Sequence, residues 1–302
     1  MSADTLKRLA AILAAIVVLW IGLTLFRSYR RDRAVTFALP KFNRAAVDQI
    51  VIAKAGDTIH LARHDTTWTA NGYATLAHSV SALLDAATDT TARGQLVAES
   101  PSSYQELGVD SASVHRITFS SAGKDLATLL VGKQGDDFAS GFVRVPGDAN
   151  VYQLPGQLAE FANRTLDDWR DKTIVTTVPD SVDRIEIARP NGSYAIVRVD
   201  HGWKIGSAAA DSAAVANLLD QLKTLTAAGF ASTAQIDSGG HAKPARGVRL
   251  FGKDSKTIAS LTFDSVSSGT FLARREGDST VYRIDGYTVK QLTPADSTLR
   301  KH

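Results

Sequence analysis

Residues Val47 to Gly94 return without a gap, at a constant offset, as Val182 to Gly229. Sixteen of the 48 aligned positions are identical, so the chain is one unit made twice, and any fold assigned to one copy must serve the other. Val47, Asp48, Ile50, Ile52 and Ala53 recur as Val182, Asp183, Ile185, Ile187 and Ala188. Further along, Arg63, Asp65, Trp68, Val80, Leu83, Leu84 and Asp85 recur as Arg198, Asp200, Trp203, Val215, Leu218, Leu219 and Asp220. At 302 residues the chain exceeds an ordinary single domain and gives each copy enough length for its own core.

The apolar period changes within each copy. Alternation in Val47 to Ala53 and in Thr58 to His64, around the turn Ala55-Gly56-Asp57, reads as a hairpin closed by Trp68. In the second copy Asn191-Gly192 is a type I′ turn signal between Val182–Arg189 and Ser193–Asp200. Val80, Leu83, Leu84 and Ala87, like Val215, Leu218, Leu219 and Leu222, then fall at i, i+3, i+4 and i+7, one apolar face of a helix. Asp211 is the candidate N-cap of the second helix and Thr75 or Ser79 of the first, with Gly94 and Gly229 bounding the two. About four more strands follow each helix, with turns at Gly123-Lys124-Asp125, Pro146-Gly147-Asp148, Gly252-Lys253-Asp254 and Gly277-Asp278. These connections are too short for a parallel doubly wound sheet. They predict an α+β tandem repeat of two antiparallel-sheet units, each with one packed helix. Leu158 to Lys172 reads as a helix joining the units and Ser232 to Lys243 as an exposed loop.

Leu9 to Phe26 carries no charge and would span about 27 Å as a helix, close to the hydrocarbon thickness of a bilayer. Trp20 and Tyr29 lie near its distal end, four arginines follow, and no small-residue cleavage site intervenes. The expectation is a single uncleaved transmembrane helix. Its flanking charges favour a cytoplasmic body by a margin of about one or two charges. The predicted organisation is an anchor at 1–33 with the span at about 9–26, a stem at 34–46, a first repeat at 47–157, a helical linker at 158–178, a second repeat at 179–295 and a tail at 296–302.

The pI near 9.0 would suit a nucleic-acid partner, but the excess charge is local. Lys7, Arg8, Arg27, Arg30, Arg31 and Arg33 flank the apolar segment; without them and Asp4 and Asp32, 28 basic residues stand against 29 acidic ones. A body so balanced offers no phosphate-neutralising face, which excludes nucleic acid. The absence of cysteine excludes disulfides, thiolate metal sites and thiol catalysis. His60 and His64 fall on one face of a predicted strand but about 13 Å apart, too far to share a metal. The second copy holds Ala195 and Val199 there. The two Gly-Lys-Asp turns lack the upstream glycine and the following Ser or Thr of a phosphate loop. In the charged run Asp167-Asp168-Trp169-Arg170-Asp171-Lys172, Asp168 and Lys172 are spaced for a helical ion pair, and Trp169 and Arg170 are residue types that anchor contacts. Trp68 and Trp203 are expected in the cores. No catalytic, cofactor-binding or metal-binding residue is assigned.

At Tyr104-Gln105-Glu106-Leu107-Gly108-Val109-Asp110, Leu129-Leu130-Val131-Gly132-Lys133, Val151-Tyr152 and Asp168-Trp169-Arg170-Asp171-Lys172, the chain resembles the uncharacterised family called domain of unknown function 4340. The resemblance implies a membrane-anchored bacterial envelope protein, often encoded beside an ABC-type export permease and a gliding-motility-type auxiliary protein. It offers no catalytic residues to carry over and implies an extracytoplasmic body, against the flanking charges. The resulting expectation is a non-enzymatic, single-pass protein of the bacterial inner membrane. It would serve as a binding or scaffold component of an ABC-type export or envelope complex, touching lipid, the permease and the auxiliary protein, without a cofactor. The alternative is an envelope hydrolase in which Asp167, Asp168 or His115 meet only in the fold.

Overall fold

Buried Ile50, Ile52, Ile59 and Leu61 alternate with more exposed neighbours, and this period of two folds the start of the first copy into paired strands. The computed structural model describes residues 36–200, 202–239, 246–267 and 269–301, with residues 17 and 20–22 of the amino-terminal segment. The chain divides into two units, Met1–Arg170 and Asp171–His302.

In the first unit the chain runs through β1 (Thr36–Phe37), β2 (Gln49–Lys54), β3 (Asp57–His64), β4 (Thr67–Ala70), β5 (Tyr73–Ala74), α1 (Ala77–Thr88), β6 (Gly94–Ala98) and α2 (Tyr104–Leu107). It continues through β7 (His115–Ser121), β8 (Lys124–Gln134), β9 (Ser140–Arg144), β10 (Val151–Pro155), α3 (Leu158–Asn163) and α4 (Leu166–Trp169). The strands form one antiparallel sheet in the order β1-β6-β10-β9-β8-β7-β2-β3-β4-β5.

The second unit begins with β11 (Thr173–Thr176), β12 (Arg184–Arg189), β13 (Gly192–Val199), β14 (Gly202–Ile205), β15 (Ala208–Ala209), α5 (Ser212–Lys223) and β16 (Thr224–Thr226). It goes on through β17 (Gly229–Phe230), α6 (Thr233–Gly239), β18 (Arg246–Phe251), β19 (Thr257–Ser267), β20 (Thr270–Arg275), β21 (Val281–Asp285) and α7 (Gly286–Leu292). Its large sheet has the order β15-β14-β13-β12-β18-β19-β20-β21-β17, and β11 pairs with β16 apart from it. Read from the other end, that order is the order of the first sheet without β1. The two units are therefore one topology used twice, an α+β fold with two large antiparallel sheets.

Each sheet carries its core under the predicted amphipathic helix. Val80, Leu83, Leu84 and Ala87 of α1 are buried, as are Val215, Leu218, Leu219 and Leu222 of α5. Each of the larger side chains stabilises its unit by about 1.5–3 kcal/mol. Trp68 and Trp203 lie in these cores, as the duplication predicts. Asp211 caps α5 through the N–H groups of Ala213 and Ala214. Neither Thr75 nor Ser79 caps α1: the N-cap is Leu76, and the Thr75 hydroxyl donates instead to the carbonyl of Trp169. The β12–β13 turn lies one residue earlier than expected. Arg189 pairs with Gly192, leaving Pro190 and Asn191 at the corner, because proline pre-sets the first turn position.

Residues 158–172 form two short helices instead of one. Thr165 interrupts them and caps α4 reciprocally with Asp168, and the helix ends at Trp169. Trp169 is fully buried in the first core and is no contact anchor. Within 232–243, Thr233–Gly239 is helical, and residues 240–243 lie outside the described residues. Arg170 then bridges back to Thr75, and Arg300 bridges in the same way to Ala210, the position equivalent to Thr75. Asp296–Leu299 is accordingly the counterpart of α4, with buried Leu299 in the role of Trp169.

Asp285 caps α7, accepting from the Thr288 hydroxyl at 2.6 Å and from the Thr288 N–H at 2.8 Å. These bonds, the hydroxyl's first, hold its carboxyl below the usual range. Asp285→Ala is expected to cost about 1 kcal/mol near neutral pH, measured by urea unfolding. A depressed carboxylate contributes fully above its unfolded pKa and loses that contribution as pH falls through the folded value. The gap between variant and parent should therefore close in acid, and a gap unchanged there would count against a charged cap.

The membrane-spanning helix expected at about 9–26 requires correction. Apart from residues 17 and 20–22 it lies outside the described residues, and among the described residues no helix is long and apolar enough to cross a membrane. The two longest described helices, α1 and α5, have 12 residues each, about 18 Å against a hydrocarbon core of about 30 Å, and they are apolar on one face only. The preceding transmembrane helix is thus not among the described elements of the fold. The single-pass inner-membrane location and the lipid contact rested on it and go with it.

Candidate functional site

The motifs that carry the family resemblance meet in the fold, and they meet as packing. α2 and the residues after it cross β8: a Cβ on Gly132 would approach Val109 Cγ1 to 2.7 Å and the Gly108 carbonyl carbon to 3.1 Å, and would collide with the Leu107 oxygen. Gly108 takes the left-handed conformation at φ 69°, ending α2 so that Val109 can turn inward. Val109, Ala98 and Val151 form a second small core with Tyr104, Leu107 and Phe142. Phe142 is next to Val143 of the main core, so this cluster lies on the opposite sheet face. Arg144 stacks on the Tyr104 ring at 4.4 Å and donates to its hydroxyl. The Tyr152 hydroxyl donates to Asp148, and Tyr282 repeats this with Asp278, its phenol pushed up to about 12 by burial and by the Asp278 acceptor.

The residues nominated for acid–base chemistry are not assembled. Asp168 is engaged with the backbone and hydroxyl of Thr165, and Asp167 pairs with Arg170. His115 stands at the start of β7, its imidazole held below the usual range by burial and then by the Lys54 charge, with no carboxylate among the groups acting on it. His60 and His64 are both exposed on β3.

A different place stands out in the second unit. A groove of about 650 Å³ is lined by Glu186, Ile187, Ala188, Ser193, Tyr194, Ala195, Arg246, Gly247, Arg249, Leu261 and Thr262. Register explains its floor: Ala188 pairs with Ser193 and Gly247, and Glu186 with Ala195 and Arg249, all alternating with the core residues Ile187, Ile196 and Val248. Small side chains thus gather across three adjacent strands on the face away from α5. The same positions in the first unit carry Ala53, Thr58 and Arg116, and Val51, His60 and Thr118, by the equivalent pairings. Where the first copy places an imidazole and a guanidinium, the second has a methyl group and a hydrogen.

Cations stand on both faces of the sheet here. Arg246 is fixed by hydrogen bonds to the carbonyl and hydroxyl of Thr293 at 3.2 and 2.9 Å. Burial, and after it the Arg189 charge, push its guanidinium below the usual range, and Arg189 keeps a buried Nε with no partner among the described residues. Glu186 accepts from Arg184 and lies 3.6 Å from Arg249, whose side chain is 64% exposed. One carboxylate therefore serves two guanidiniums on the groove face, whereas Arg189 and Arg246 alternate onto the face of Ile187 and Val248. Tyr194 donates to the Pro294 carbonyl at 2.8 Å; burial raises its pKa, Arg189 opposing and Asp296 adding to the shift. Among the described residues no group of three or more His, Cys, Asp or Glu is placed to hold a metal. Sequence reading missed the groove, and the signal available was divergence between the copies at positions 195 and 247.

Fold and groove together define a duplicated antiparallel α+β protein with one specialised sheet face. The family model described as Domain of unknown function (DUF4340) matches residues 73–244, more than half of the chain, and the chain belongs to that family. The match contains every motif named above and ends before Arg246. No curated protein and no solved structure matches the chain. The extracytoplasmic placement and the role beside an export permease and its auxiliary protein hung on an anchoring helix that the described residues do not supply, and they are withdrawn.

Proposed function

We propose that this chain binds a small molecule without transforming it, and that the groove on the second sheet is where it does so. The observation that carries the reading is the difference between the copies. Their topology is shared, while on the face over β12, β13 and β18 the second unit has Ala195 and Gly247 where the first has His60 and Arg116. A cleft of this volume is in the usual range for small ligands. Its polar groups are guanidiniums and hydroxyls with a carboxylate already engaged by arginine, a set suited to holding a ligand in place.

The test is a thermal-shift screen of small anions, cations and neutral compounds against the full chain. Ala195→Trp, which fills the floor, is expected to abolish the stabilisation given by a hit. His60→Trp, at the equivalent exposed position of the first unit, is expected to leave it intact. A hit insensitive to Ala195→Trp, or one recovered chemically altered after incubation, would overturn the reading.

A further inference from the structure

We infer that the groove takes a neutral, flat aromatic ligand laid across the strands, with the Arg249 guanidinium against one of its faces. This rests on the groove being the binding site and goes beyond it by naming the ligand chemistry. Register sets the shape. Ser193, Ala188, Gly247 and Thr262 are paired neighbours on β13, β12, β18 and β19, so they form one row across four strands, about 14 Å long at the usual strand spacing. No side chain in that row is larger than threonine. A Cβ on Gly247 would have within 4 Å only the Leu261 carbonyl oxygen at 3.1 Å and the Ala188 methyl at 3.8 Å, which leaves bare backbone at the centre. The corresponding row of the first unit is Thr58, Ala53, Arg116 and Leu130, where a guanidinium and a buried leucine take the places of Gly247 and Thr262. A ring system can lie flush on the flat row of the second unit, where a puckered saturated body of the same size makes fewer contacts, and the apolar surface of both leaves water.

The charges beside this row select against an ionic ligand. Ala195, Glu186 and Arg249 form the next row on the same face, and Glu186 is shared by Arg184 and Arg249. An anion would have to displace Glu186 from its arginines, and a cation would meet two guanidiniums. The N–H edge of a guanidinium makes its ion pair, and its flat face remains available to a π system. The first unit makes both contacts at once. Arg170 pairs with Asp167 at 3.5 Å and lies 3.8 Å from the Tyr73 ring, and Arg164 pairs with Glu160 at 2.9 Å and lies 4.5 Å from the Phe161 ring. Arg184 repeats the arrangement between Glu186 and the Phe251 ring at 5.3 Å. Arg249 has the ion pair, lines the groove and has no ring against it among the described residues, so its flat face is open to a ligand.

Calorimetric titration of the full chain with 2-naphthamide, its saturated counterpart decahydronaphthalene-2-carboxamide, 2-naphthoate and 2-naphthylmethylammonium separates the possibilities. Naphthamide is expected to bind, the saturated amide at least about threefold more weakly through loss of the stacked face, and neither ion more tightly than the neutral amide. Arg249→Lys keeps the charge and removes the flat face, so it should weaken naphthamide to a similar degree and leave the saturated amide unchanged. Thr262→Leu, which gives the row the leucine that the first unit carries at Leu130, should weaken both amides, and Ala195→Trp should abolish their binding. Equal binding of the two amides, still blocked by Ala195→Trp, would overturn the aromatic inference while leaving the groove as the site. Either ion binding more tightly than naphthamide would overturn it in favour of a charged ligand. An Arg249→Lys variant that weakens both amides alike would remove the stacking role. Binding of none of the four probes would overturn the ligand class, and naphthamide binding unaffected by Ala195→Trp would remove both the ligand class and the site.

Discussion

Trp169→Ala should lower the stability of the first unit by about 3–5 kcal/mol, the range for removing a buried aromatic side chain from a core. The indole is fully buried, lies 6.0 Å from the Phe161 ring and is covered by the Arg164 guanidinium at 5.3 Å. Its own carbonyl accepts from Thr75, which ties α4 to the far edge of the sheet. Collapse of the surroundings into so large a cavity is limited because Leu158, Ala159 and Phe161 of α3 are already packed among core residues. Trp169→Phe should cost much less, since the Nε1 donor it removes is buried without a hydrogen-bond partner among the described residues. Denaturant unfolding followed by fluorescence of the remaining tryptophans would check both. A loss below about 1 kcal/mol for the alanine variant would refute the central place given to this side chain.

Gly132→Ala is the second large effect, about 3 kcal/mol, because the new methyl group would meet backbone atoms of Leu107 and Gly108 that cannot rotate away. Gly123→Ala is the matched control. Gly123 has φ 76° with open space around it, so the substitution carries only the left-handed backbone cost of about 1–2 kcal/mol. Gly132 has no such dihedral penalty and is costly through contact alone. If melting curves of the two variants coincide, the close approach of α2 to β8 is not what demands glycine at position 132.

What could be read from sequence follows the range of the signal. The hairpins around Ile50 and Ile185 and the helices around Leu83 and Leu218 were legible because period and duplication repeat within a dozen residues. The return of β6 and β17 to pair with β10 and β21 was not, since these short segments carry no pattern that names a partner some fifty residues away. Trp169 in a run of charges looks exposed. Only the tertiary fold shows that Asp168 is turned toward Thr165 and the indole inward. Asp296–Leu299 was passed over as a tail for a related reason, as a single buried leucine in a tight turn has no period to detect. The groove draws on β12, β13, β18 and β19, and each of its residues is ordinary where it stands.

The closing contacts of each unit set an order of events during synthesis. Thr75 waits for Arg170, and Ala209 and Ala210 wait for Arg300 and Lys301, so each sheet obtains its last edge contact from the final residues of its own stretch. The first half has its full complement once Arg170 clears the ribosome, while the second half is still being translated. The second cannot latch until Lys301 has emerged, so a stalled or truncated product would present one finished half and one left open.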